Sequence, residues 1–359
     1  MAELLRSTWS EAVANDPKHR PQVMDWPSTT VRKEWCRRPQ EAHVVDGKKI
    51  RRMSVAEIAA IQGFPAEWVN VDGTTESERI AVLGNAVPPP LSHIIANLLK
   101  DNIEFQNKTL IEICAGIGGL SSGFDFLTPI AKIELWNVAA KILRTNKPWP
   151  ADCVVEGYAQ QFDYASYKGK VGLLCGGPPC QPWSMSGRKK GAADPRDVMG
   201  FTPTAIAECE PEVFLFENVP GLLMAKEHQA YVSDLFNRMS RPKEGLRYGF
   251  AVAVVNAADY GVPQTRRRVL MLGAKTEDVV LDKYHATLCG NHLYMTDADF
   301  TEEDMAALVD RYQSDPAFNP DCIVLFGYSF GHNAKDMLEK NKPTINLVKD
   351  KNVIIDVRY

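Results

Sequence analysis

The sequence of 359 residues is short of several things at once: net charge, paired cysteines, long apolar runs and repeats. Its eight cysteines, at 36, 114, 153, 175, 180, 209, 289 and 322, include no C-x-x-C pair. That spacing excludes a disulfide-dense small scaffold and a paired-cysteine zinc ribbon, and it reads as reduced thiols. The longest uncharged stretch, residues 80–99, is broken by Gly84, Asn85, three prolines and His93. It cannot supply the roughly 20 apolar residues of a bilayer span. The opening MAELLRSTWSEAVAND lacks the apolar core of a signal peptide, so a cytoplasmic protein with no membrane partner is expected. No internal repeat or low-complexity tract occurs, which argues against solenoids and disordered tails. What is present, 45% hydrophobic and 24% charged residues, is a globular composition. The length suits one large domain and a smaller one.

The net charge of −4 argues against a nucleic-acid partner only if charge is spread evenly, and it is not. Residues 32–52 carry eight basic groups (Arg32, Lys33, Arg37, Arg38, Lys48, Lys49, Arg51, Arg52) against three acidic ones, whereas residues 297–304 hold five acids and no base. A charge run is usually a solvated face, but a basic one on an acidic protein can also meet phosphate.

Ser54 and Glu57 in SVAEIAAIQGF form a capping-box pattern that predicts a helix of about two turns ending at Gly63. GNAVPPPLSHIIANLLK predicts a Gly-Asn turn feeding a helix that runs to Lys100, its prolines confined to the approach and first turn. From Thr109 the pattern changes to an apolar strand, TLIEI, ending in the glycine-rich CAGIGG. Strand-like runs follow at 131–135, 171–177, 212–219, 250–257 and 268–274, alternating with helical patterns. The expected class is α/β: a doubly wound, Rossmann-like parallel sheet of about six or seven strands with a smaller domain. The rhythm is lost after residue 275, where an acidic helix-like stretch at 301–312 mixes with short β-like pieces.

CAGIGG after a strand marks a nucleotide-type cofactor only weakly, and read alone it would also fit an NAD-dependent oxidoreductase. Glu134 ends the next strand, where a carboxylate can accept from both ribose hydroxyls. GGPPCQPWS (176–184) is more unusual, because two prolines aim Cys180 from the C-terminal end of an apolar strand. ENV (217–219) ends another strand and can bring Glu217 to the same edge, giving a thiol nucleophile and a carboxyl acid. In QTRRRV, Arg266 and Arg268 alternate onto one face, suited to a carbonyl oxygen or a phosphate. His285, Cys289 and His292 have usable ligand types but no fourth partner, so no metal is expected.

Together these segments resemble the DNA cytosine-5 methyltransferase family. The resemblance rests on CAGIGG, GGPPCQPWS, ENV, the Gln264, Arg266, Arg268 pattern, the R-x-M-S-x-x-E-x-A-x-x-Q-G-F-P stretch from Arg51 to Pro65, and GNAV (84–87). The last two blocks stand before the cofactor loop rather than at the C-terminal end, so the chain resembles the circularly permuted branch. The resemblance implies three parts: residues 1–75 with the displaced block, a cofactor-binding catalytic domain at 76–275, and a target-recognition domain at 276–359. It implies S-adenosylmethionine as cofactor, held by Cys114, Ala115, Gly116, Ile117, Gly118, Gly119, Glu134, Leu135, Tyr158, Gly177, Pro179, Asn85 and Ala86. Three of these depart from the family pattern: Cys114 replaces a phenylalanine, Tyr158 an aspartate and Ala86 a serine.

The same resemblance implies catalysis by base flipping, with Cys180 adding to cytosine C6, Glu217 holding N3, Arg268 binding O2, Arg266 supporting the site and Asn218 fixing its loop. It implies double-stranded DNA as partner, met by Gln181, Ser184, Ser186, Arg188, Lys189, Gln264, Arg51 and Arg52. It further implies a monomer in a prokaryotic or phage setting, which either accompanies a cognate restriction endonuclease or acts alone. A tRNA cytosine methyltransferase and a DNA-binding homologue without turnover are the competing readings.

Overall fold

The computed structural model describes residues 22–23, 27–36, 42–46, 49–146, 148–179, 197–224, 229–275 and three strands at 285–288, 291–295 and 323–326. Cys180, Gln181, Ser184, Ser186, Arg188 and Lys189 lie outside the described residues, as do Cys289 and the acidic stretch 301–312. The chain divides into two compact units. One comprises Met1–Asn97, Glu112–Ala159 and Asn256–Arg267; the other comprises Leu98–Ile111, Gln160–Val255 and Arg268–Tyr359.

The first unit opens with β1 (Gln22–Val23), β2 (His43–Asp46) and β3 (Lys49–Arg52), a small sheet in that order with β1 parallel and β3 antiparallel to β2. The β2–β3 hairpin forms where Val44 can be buried while Asp46 and Arg52 face out. Helix α1 (Val55–Ile61) carries both halves of the expected capping box. Helix α2 (Glu76–Asn85) has a second one, Thr75 with Glu78. Helix α3 (Pro89–Asn102) begins among the prolines, as expected. Then come β4 (Thr109–Ile113), of which only the last two residues belong to this unit, β5 (Thr128–Glu134), helix α4 (Asn137–Thr145) and β6 (Val154–Glu156). The core of this unit gathers Trp35, Ile58, Phe64, Leu83, Ile117 and Ile142.

Arg51 clamps the start of α1. Its Nη2 lies 2.6 Å from Glu57 Oε1 and its Nε 2.7 Å from Asp46 Oδ2. Hydrogen bonds from Arg51, and then from the Ser54 backbone and hydroxyl, hold the Glu57 carboxyl down at about 2, from an ordinary 4.5. A depressed carboxyl contributes stability above its unfolded value and loses it as pH falls. The contribution should therefore fade between about 4.5 and 2. Because the Glu57 side chain is 36% exposed, screening limits it to about 1 kcal/mol. Urea unfolding of Glu57→Gln should show that deficit at neutral pH, shrinking toward zero as the pH is lowered through this window.

The second unit contains β7 (Leu173–Gly176), α5 (Val198–Cys209), β8 (Val213–Asn218), α6 (Gly221–Met224), α7 (Gln229–Ser240) and most of β9 (Tyr248–Asn256) and β10 (Arg267–Lys275). After α5, Glu210 turns left-handed at φ +48°, and its carboxylate meets Lys243 at 2.5 Å and Lys168 at 3.2 Å. Three further strands, β11 (His285–Leu288), β12 (Asn291–Met295) and β13 (Ile323–Phe326), make a separate sheet in that order.

The main sheet has seven strands in the order β6-β5-β4-β7-β8-β10-β9. It is α/β and Rossmann-like, but it is mixed rather than wholly parallel. β7 runs parallel to β8, while β10 inserts beside β8 antiparallel, Leu270 opposite Glu217. The link from β9 to β10, residues 257–266, is too short for a crossover helix, so the chain turns straight back.

Candidate active site

In the first unit, β4 delivers the chain into the glycine loop 114–119. Cys114, Gly116 and Gly118 all take positive φ, at 50°, 56° and 82°. At Gly118 an added Cβ would stand 2.4 Å from the Trp149 ring, and at Gly119 it would stand 2.0 Å from the Val87 carbonyl. Glycine is therefore required there by close approach. Cys114 holds its left-handed backbone without that freedom, and burial, with Glu134 nearby, pushes its thiol well above the ordinary range. It is a packed thiol rather than a nucleophile.

Glu134, at the end of β5, accepts from Gly116 N and Trp136 N, each at 2.7 Å. Burial raises its carboxyl above the ordinary value, against the pull of those backbone donors. Next to it, Leu135 and Tyr158 are each 54% exposed, large apolar side chains at strand ends. A two-oxygen acceptor fixed by the loop, flanked by uncovered apolar surface, fits a ribose and its purine.

The block from Arg51 to Pro65 packs behind this loop, within the same unit. Phe64 lies against Gly119, and Trp68 donates from Nε1 to the Ile117 carbonyl at 2.9 Å. Gln62 donates to the Leu83 carbonyl and accepts from Gln264, whose own Oε1 accepts from Val31 N at 3.0 Å. Gln264 is thus wholly buried. It braces the fold, and the expectation that it contacts DNA is corrected on that ground. Arg266, 1% exposed, donates to the carbonyls of Val31 at 2.9 Å, Gly84 at 3.2 Å and Ala86 at 2.8 Å. It fastens the C-terminal end of α2, where Asn85 is exposed and the capping residue Ala86 is buried. Arg51 is engaged by Asp46 and Glu57, and Arg52 lies 3.6 Å from Glu76.

In the second unit, Glu217 and Asn218 end β8. Arg268 Nε lies 2.7 Å from Glu217 Oε1, with the two side chains only 11% and 10% exposed. A Cβ at Gly177 would sit 3.5 Å from Glu217 Oε2, so the strand end after β7 faces this carboxylate. Asn218 Nδ2 donates to the Pro178 carbonyl at 3.1 Å, and its Oδ1 accepts from Val219 N at 2.8 Å. The segment after β7 is thus held from β8 at Pro178. A nearly buried acid and guanidinium, side by side, can grip a ring nitrogen and its adjacent carbonyl.

Three residues outside every motif complete the first unit's loop: Glu112, Lys132 and Trp149. The available signal was opposite charge in the middle of two apolar strands, TLIEI and AKIEL. Among the described residues no helix is long and apolar enough to cross a membrane, and no three His, Cys, Asp or Glu side chains gather as a metal site.

The model of the C-5 cytosine-specific DNA methylases matches residues 7–101 and 108–351. The chain is similar to the Type II methyltransferase M.NgoMIV of Neisseria gonorrhoeae, 36% identical over 47% of this chain and 52% of that protein. It is 33% identical to M.AplI of Arthrospira platensis over 50% of this chain and 49% of that one. With M.AquIA of Picosynechococcus it is 35% identical over 47% of this chain and 72% of the other. The chain spans about half the length of the first two. Among solved structures, a DNA modification methyltransferase described as putative, from an E. coli prophage, is 24% identical with a TM-score of 0.41, over 54% of this chain and 57% of that one. The family match covers most of the sequence, and on it the chain belongs to the C-5 cytosine-specific DNA methylases.

Proposed function

We propose that the protein methylates C5 of cytosine within a short double-stranded DNA sequence, using S-adenosylmethionine, on a base flipped out of the helix. The observation that carries this is the Glu217–Arg268 pair at 2.7 Å, almost out of solvent, with the neighbouring Asn218 holding the segment that leads to Cys180. Cytosine C5 is a weak nucleophile. The Cys180 thiolate forms a bond to C6, and the C5–C6 π electrons become available at C5. Glu217, carrying a proton, holds N3, and Arg268 turns to O2, so charge developing on the ring meets fixed partners. Once C5 has taken a methyl group with that electron pair, loss of the C5 proton to water re-forms the C5–C6 double bond and expels the thiolate.

S-adenosylmethionine, when bound, supplies an electrophilic methyl group. Glu134 would accept hydrogen bonds from its ribose hydroxyls, Gly116 and Gly118 with Ala115, Ile117 and Gly119 would give the backbone cradle, and Leu135 and Tyr158 would flank the purine. The family resemblance adds Cys114, Asn85, Ala86, Gly177 and Pro179 to the residues that would hold it. Gln181, Ser184, Ser186, Arg188 and Lys189, with Arg51 and Arg52 at the margin, serve the DNA. Residues 1–75, 76–275 and 276–359 act as bridging, catalytic and target-recognition parts.

The order is that of a circularly permuted enzyme, supported by Gln62 and Gln264 meeting although they stand 202 residues apart. The protein works as a cytoplasmic monomer, in a bacterial or phage setting, beside a cognate restriction endonuclease.

The test is incubation with unmethylated plasmid and S-adenosylmethionine, followed by bisulfite sequencing. Methylation confined to one short context is expected; DNA binding with no 5-methylcytosine overturns the proposal. Glu217→Gln keeps the shape but cannot present the acid proton, and methylation should slow by about 10² to 10⁴-fold.

A further inference from the structure

Lys132 lies in the middle of β5 and is wholly buried. A buried ammonium without partners is costly, and here each partner leads to the cofactor loop. Lys132 Nζ donates to Glu112 Oε2 at 2.7 Å and to the Ser121 hydroxyl, and it sits 3.8 Å from the centre of the Trp149 ring.

Glu112 stands two residues before Cys114, and its other oxygen accepts from Ser121 N at 3.3 Å, just after the loop. One carboxylate therefore ties the two ends of the glycine loop together. The Trp149 ring lies against Gly118, and its Nε1 is fixed on the Leu143 carbonyl at 3.0 Å. Edge-on to Trp149, at 5.7 Å, is Trp68, which holds the Ile117 carbonyl. The loop needs such support, because Cys114 is a non-glycine residue in a left-handed conformation that persists only where its surroundings impose it.

We propose that Lys132, acting through Glu112 and Trp149, is a positioning residue that sets the glycine loop 114–119 and with it the affinity for S-adenosylmethionine. This rests on the cofactor assignment above. A buried ion pair is a poor source of stability compared with apolar residues of similar size. Its worth here lies in direction: the ammonium points three groups at one loop.

The experiment compares the full chain with Lys132→Met and with the double variant Lys132→Met/Glu112→Leu, which leaves no unpaired charge. Thermal melting, titration calorimetry with S-adenosylmethionine and hydrogen exchange of the 114–121 amides are read for each. The double variant should melt near the wild type, bind S-adenosylmethionine about tenfold more weakly and exchange its loop amides faster. Its KM for S-adenosylmethionine should rise with kcat unchanged, a split that a loss of general stability would not produce.

A double variant with wild-type affinity and wild-type loop exchange overturns the proposal, and it decides the matter even if the single variant does not fold. Failure of the wild type itself to bind S-adenosylmethionine would sink the cofactor assignment. The exchange measurement would then still show whether the pair holds the loop, unchanged loop exchange in the double variant overturning that role too.

Discussion

Cys180→Ser protein should bind its DNA and leave it unmethylated, with transfer slowed by at least about 10³-fold. A cysteine at neutral pH keeps a small thiolate fraction and a soft, strongly nucleophilic sulfur, whereas a serine hydroxyl stays protonated. Cys114 and Cys209 cannot deputise. Burial pushes the Cys114 thiol upward and takes that of Cys209 to about 12, so neither offers a thiolate. Transfer of labelled methyl groups to plasmid DNA, beside a gel-shift titration, measures both halves of the expectation. Methylation within tenfold of wild type would refute covalent addition by this residue. Lost DNA binding would mean that the substitution had disturbed more than chemistry.

The second large effect concerns stability. Arg266→Ala removes a guanidinium that satisfies the carbonyls of Val31, Gly84 and Ala86 from a wholly buried position. Three interior acceptors are then left unpaired beside a cavity the size of the lost side chain. A loss of about 3–5 kcal/mol is expected, enough to unfold a marginal domain at physiological temperature. Arg266→Lys should recover little, because one ammonium on a flexible stem cannot reproduce a planar fork aimed at separate carbonyls. Denaturant unfolding followed by tryptophan fluorescence gives the number. A deficit below about 1 kcal/mol would show that water or a rearranged turn can replace the guanidinium.

Much of the architecture is legible in the chain because local signals and tertiary demands agree. The apolar strands at 109–113, 173–176 and 213–218 read clearly since both faces are covered. The capping box at Ser54 is purely local and forms as written. The direction of β10 is another matter, since a strand's pattern is the same read in either sense and only the length of its connection betrays it. The small sheet of β1 to β3 escapes for a different reason: its strands are short and its buried face narrow.

At the site, Glu217 and Asn218 stand where the motif suggests, at the end of β8. Gln264 shows the limit of such reading, because a polar side chain in a basic segment looks solvent-facing until the buried Gln62 is known to be its partner. Lys132 and Glu112 carry a pattern signal that becomes meaningful only once β4 and β5 are neighbours.

Arg266 reaches back 235 residues to the Val31 carbonyl. During synthesis, the unit that begins at the N-terminus cannot close until residue 267 has left the ribosome, well after its own first strands have emerged. Its early segments must wait with apolar surface exposed. Pairings so distant along the chain make for slow folding, and a message truncated before this point would yield a product with no finished unit at all.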